Sequence, residues 1–169
     1  MRKRSISSRV LAAAAVASIA AAAYLGTALE LRAGAPVEPA PYLPSISDLM
    51  ISTIQPRHIR LWIAAHEGNW EFGAYELGNL KGAFNRLGHA HPTVEANSLP
   101  DMVSAVTGQP FADLTAAVKA KDLAAFDKSY ADLTSACNSC HQALNHGAVV
   151  IKVPQQAAVS DQDFSPRSP

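Results

Sequence analysis

Charge, aromatic residues and cysteine are all scarce in this 169-residue chain. Charged residues make up 17% of it, aromatics 7%, and there are two cysteines. Two cysteines cannot build a disulfide framework, so a small loop-rich scaffold held by cross-links is excluded. Nor is there an excess of positive charge: fourteen Lys and Arg balance fourteen Asp and Glu. Five of those basic residues and one acid lie in residues 1–35, so residues 36–169 carry nine against thirteen, a net −4. Phosphate binding needs clustered Lys and Arg, and no nucleic-acid partner is expected. A Gly-rich phosphate loop and a Ser/His/Asp arrangement are both missing, so the chain is not read as an enzyme. Residues 45–146 also lack the alternating pattern of strands.

What is present begins with an address. Residues 1–9 hold Arg2, Lys3, Arg4 and Arg9, and residues 10–28 hold no charge and ten alanines. This is the charged and apolar order of a bacterial export signal. Ala33-Gly34-Ala35 has the form of a cleavage site, although Pro36 would follow it. An uncleaved anchor is the other reading, because nineteen apolar residues nearly match the bilayer core. The basic flank would then stay inside and the rest would face outward. Either way residues 36–169 are expected in the periplasm, free or tethered to the inner membrane.

Residues 36–44 contain four prolines and read as a linker,. From Ser45 or Ser47, an N-cap candidate, apolar residues recur at helical spacing through Met50, Ile54, Leu61, Trp62 and Ala65. Pro56 interrupts them and predicts a kink or two pieces. A second helix is expected from Trp70 to Leu87, stopped by Gly88, with a loop over residues 89–98. A third begins at Ser98 and is expected to break or bend at Gly108-Gln109-Pro110. After a corner at Lys121-Asp122, a fourth runs through Leu123, Phe126, Tyr130, Leu133, Cys137, Cys140 and Leu144 to about Gly147. Residues 148–153 look extended, and Pro154 onward reads as a loose polar tail. Four amphipathic segments with short connections predict an all-α fold, an antiparallel four-helix bundle over residues 45–147, followed by an extended tail at 148–169.

Residues 137–141 read Cys-Asn-Ser-Cys-His. On a helix, Cys137 and Cys140 share a face. Thiols at that spacing can add to the two vinyl groups of one haem, and His141 follows directly to reach the iron. C-x-x-C-H is the attachment signature of haem c. A thioredoxin-type pair would need a strand–helix context, a zinc site would need a fourth ligand, and a structural disulfide is the plainest alternative.

Residues 111–144, FADLTAAVKAKDLAAFDKSYADLTSACNSCHQAL, resemble the C-terminal half of class II cytochromes c, the cytochrome c′ group and its low-spin Met-ligated relatives. In that family the motif lies on the last helix of a four-helix bundle. The resemblance implies one covalent haem c, with Cys137 and Cys140 as thioether ligands and His141 as proximal ligand. It also implies a distal residue from the first helix, and it allows a homodimer. The chain departs from the pattern in its extension past the last helix and in Pro56.

The sixth position decides between functions. Met50 stands about where the family places its distal residue. A thioether there favours electron transfer. His58, eight residues on and near the same face, is the runner-up, and Met102 or His66 are further candidates. With no protein ligand the iron would be open to NO or CO. The expected function is one-electron transfer with a periplasmic or membrane-bound redox protein, and the alternative is gas binding. Arg57, Arg60, Lys81 and Arg86 are candidate partners for haem propionates. His89 and His91 read as bystanders.

Overall fold

The computed structural model describes residues 42–155 and 164–166. The chain divides into Met1–Tyr42 and Leu43–Pro169. The expectations for residues 1–35, and most of the 36–44 linker, lie outside the described residues. Among the described residues no helix is long and apolar enough to cross a membrane.

The second unit is the expected all-α, antiparallel four-helix bundle. Its first rod is built from α1 (Ile46–Leu49), a π-helical stretch (Met50–Ile54) and α2 (Gln55–His66). Ser45 caps it reciprocally: the Asp48 amide donates to Ser45 Oγ at 3.0 Å, and the Ser45 amide donates to Asp48 Oδ2 at 3.1 Å,. Pro56 stands where the rod divides, as expected, into two helical pieces, the π-helical stretch and α2. It has no N–H to donate one turn back, and the turn before it widens instead, with the Gln55 amide donating to the Met50 carbonyl. Such widened turns are a known way to absorb a local mismatch in a helix. Pro56 then falls in the first turn of α2, where its missing N–H has no helical acceptor to serve,.

Gly68, at φ +70°, ends the first rod, and Asn69 caps α3 (Trp70–Ala90) by accepting the Phe72 amide. Gly88 does not stop this helix. It is buried inside it, and a Cβ there would lie 3.0 Å from Pro100 Cγ, so the glycine serves close approach to Pro100. The expected loop contains a minimal hairpin, β1 (Thr93–Val94) paired antiparallel with β2 (Asn97–Ser98). Two residues per strand are too few to show alternation in sequence.

Ser98 caps α4 (Leu99–Ala120), which runs through Gly108 and Pro110 without interruption. The expected break is absent because Phe111 and Leu114, directly after the proline, are buried in the core and hold the turn in place. Lys121, at φ +56°, makes the corner and Asp122 caps α5 (Leu123–Ala143). This last helix ends earlier than Gly147. Leu144 is its C-cap, and Asn145, at φ +59°, reverses the chain.

Every rod supplies the core: Leu61 from the first, Leu80 and Leu87 from α3, Leu99 and Leu114 from α4, and Phe126, Tyr130 and Leu133 from α5. Burying a side chain of this size is worth roughly 1.5–3 kcal/mol. The tail is less loose than expected. Phe164 is buried against Phe72, with ring centroids 5.7 Å apart, and Asn69 Nδ2 donates to the Phe164 and Ser165 carbonyls.

Candidate functional site

Helical geometry puts Cys137 and Cys140 on one side of α5, three residues apart, with His141 next to the second,. Both thiols are free and half-buried. Burial pushes the Cys137 thiol up to about 11, with the neighbouring Cys140 adding to it, and burial raises Cys140 as well. Both sulfurs are therefore neutral thiols in the folded chain at neutral pH.

His141 is oriented from outside the helix. Its Nδ1 lies 2.8 Å from the Val149 carbonyl oxygen. A carbonyl only accepts, so the proton of the neutral ring sits on Nδ1 and Nε2 keeps a free lone pair. The carbonyl belongs to Val149 in the stretch 148–153, which departs from the expected extended course by opening in a turn, the Val149 amide donating to the His146 carbonyl at 2.9 Å, before folding back against α5. The reversal is a paired-bond helix terminus: the His146 amide donates to the His141 carbonyl at 2.7 Å and the Asn145 amide to the Gln142 carbonyl at 3.2 Å,. Asn138 then holds the returning chain with both ends of its carboxamide. Its Nδ2 donates to the Ile151 carbonyl at 2.9 Å, and its Oδ1 accepts the Ile151 amide at 2.8 Å.

The first rod faces this helix through His58, Tyr130 and Thr134. Tyr130 Oη donates to the His58 carbonyl at 2.7 Å and lies 2.8 Å from His58 Nδ1, while His58 Nε2 lies 3.1 Å from Thr134 Oγ1. Both hydroxyls also have a backbone acceptor, since Thr134 Oγ1 donates to the Tyr130 carbonyl at 2.9 Å as Tyr130 Oη does to that of His58, and the neutral ring donates from one nitrogen only,. His58 is buried, stacked on Tyr130 at 4.4 Å, and burial lowers its pKa to about 4. It is neutral at pH 7, with both ring nitrogens engaged inside the bundle.

His66 faces Asp127 across the same two rods, at 3.3 Å. Carrying this antiparallel register sixteen residues toward the chain start brings Met50 level with Ala143, within about one turn of Cys140 and His141, since both helices rise about 1.5 Å per residue,. Met50 is half-buried and packs against the core from the π-helical stretch. The first and last rods also make the sparsest contact of the four neighbouring helix pairs.

The remaining candidates are dispersed. His66 Nδ1 donates to the Trp62 carbonyl at 2.9 Å, and Met102 is half-buried on α4. Arg60 pairs with the buried Glu76 at 3.3 Å, and Lys81 donates to Thr115. Arg57 donates to the Thr53 carbonyl and leaves its buried Nε without a partner. His89 and His91 bond separately to the Asn85 and Pro44 carbonyls. Among the described residues no three His, Cys, Asp or Glu side chains converge as a metal cage. The Asn138–Ile151 clamp was not foreseeable from the motif, which specifies nothing at its two middle positions.

No protein family matches the chain, and neither curated proteins nor solved structures show a detectable relative.

Proposed function

We propose that the chain is an exported monohaem c-type cytochrome of class II type, which carries single electrons between periplasmic or membrane-bound redox partners. The observation that carries this reading is the Cys137–Cys140–His141 turn, with two thiols on one helix side and an imidazole whose Nδ1–H is already given to a backbone carbonyl. Metal-bound histidines characteristically donate their second nitrogen in this way.

The donor set fits haem c better than zinc. A zinc ion needs four donors converging on one point. A haem needs two thiols at its rim and one imidazole at its centre, so its donors need not converge. When bound, the group supplies an iron that alternates between two oxidation states. In this reading Cys137 and Cys140 would hold it covalently, and His141 Nε2 and Met50 of the first rod would be the residues that ligate its iron. The sparse seam between the first and last rods is where the macrocycle would enter. His58, committed to Tyr130 and Thr134, acts as a rigid polar tie beside that seam. Arg57, with a buried Nε to spare, is a candidate partner for a propionate. The apolar bundle limits rearrangement of the surroundings when charge changes.

Expression of the full chain in a host competent for haem maturation tests this. The protein is expected to stain for haem on a denaturing gel and to show a far-red Met–Fe(III) band. That band should vanish in Met50→Ala and survive in His58→Ala. A colourless product with the mass of bare polypeptide overturns the reading. Rapid CO binding by the reduced wild type would replace electron transfer with gas binding.

A further inference from the structure

The returning segment 148–153 does more than end the chain. It meets the attachment turn at two points one helical turn apart, Asn138 and His141, so the same three-residue step that presents the thiols also grips the strap. The Asn138 carboxamide imitates a strand residue, with one donor and one acceptor matched to the Ile151 amide and carbonyl. Asparagine is chemically specific here. Aspartate can only accept, and alanine can do neither. With Ile151 fixed and Asn145 fixing the reversal, the Val149 carbonyl between them is held on His141 Nδ1.

Resting on the proposed haem site, we infer that Asn138 and residues 148–153 form a proximal strap that sets the tautomer and orientation of His141, and through it the reduction potential. Asn138 is thus a positioning residue. A held acceptor on Nδ1–H increases electron donation from Nε2, which favours the more positive ferric ion. Releasing the strap shifts the balance toward the reduced state.

Two variants approach the strap from opposite sides. Asn138→Ala removes the clamp from within the motif, and Ile151→Pro removes the Ile151 N–H while leaving the motif untouched. In the metal-free full chain, Asn138→Ala is expected to speed hydrogen exchange at the Ile151 amide about tenfold, as loss of one well-made hydrogen bond allows. Nitrogen NMR at pH 8 should show His141 as the Nδ1–H tautomer in the wild type and as a tautomer mixture in both variants. In the haem-loaded proteins, both variants should raise the reduced-to-oxidised ratio in a fixed redox buffer about tenfold, equivalent to ~59 mV for one electron. Unchanged Ile151 exchange in Asn138→Ala, an unchanged tautomer, or an unchanged potential in both variants overturns the inference. If the wild type takes up no haem, the functional reading fails alone, and the exchange and tautomer measurements still decide whether the strap orders His141.

Discussion

At the scale of single residues, His58 has the sharpest consequence. Burial lowers its pKa to about 4, against 6.5 for an exposed imidazole. The groups facing it, Tyr130 and Thr134, carry no charge, because burial pushes the tyrosine hydroxyl far above its ordinary range. Between those two pH values the unfolded chain binds a proton that the folded chain refuses. Its contribution is therefore complete above pH 6.5 and is lost as the pH falls toward 4, by about 3 kcal/mol at 1.36 kcal/mol per unit. Urea unfolding at pH 7 and pH 4.5 should show this fall in the wild type and a flatter dependence in His58→Gln. Equal slopes would refute the assignment. Cys137, Cys140 and His141 were legible in the sequence because a contiguous motif carries its own spacing. The tyrosine–histidine–threonine tie was not, because its partners are 72 and 76 residues apart in the chain.

At the scale of elements, amphipathic periodicity marks all four rods and serines mark the starts of the first and third, whereas the Asn69 and Asp122 caps emerge only in the structure and the differences cluster at Gly88 and Pro110. Each was read by its local preference, and tertiary packing overrode that preference. Pro110 is held by the packing of Phe111 and Leu114, and Gly88 is a contact residue rather than a terminator. Gly88 and Gly78 provide a matched pair of tests on α3. A Cβ at Gly88 meets the rigid Pro100 ring, whereas one at Gly78 has nothing within 4 Å. Overpacking costs about 1–3 kcal/mol, against a helix-propensity gain of up to about 1 kcal/mol. Gly88→Ala is thus expected to lower the melting temperature and Gly78→Ala to raise it. The same sign in both would contradict the packing described. The strap escaped prediction for a different reason: side-chain clamps on an extended backbone leave no periodic trace.

For the molecule as a whole, folding and cysteine chemistry are coupled. Cys137 is the more sheltered thiol, raised to about 11, and Cys140 lies nearer solvent. Since the thiolate is the nucleophile, any covalent attachment is favoured before the bundle closes. In the folded metal-free chain, iodoacetamide at pH 8 is expected to label Cys140 well before Cys137, and the difference should disappear in urea. Equal rates under native conditions would show that the interior does not shelter Cys137. The antiparallel course also separates the two ends of the bundle. Phe164 and Ser165 are fastened at the Asn69 corner, beyond the His66–Asp127 end of the first rod, while the cysteines lie at the other end. A biotin handle or surface linker joined at Ser165 would therefore emerge near the pole remote from the thiols. A molecule immobilised that way would offer its Cys137–Cys140 turn to the solution, the orientation wanted for testing the proposed haem by voltammetry with a dissolved mediator.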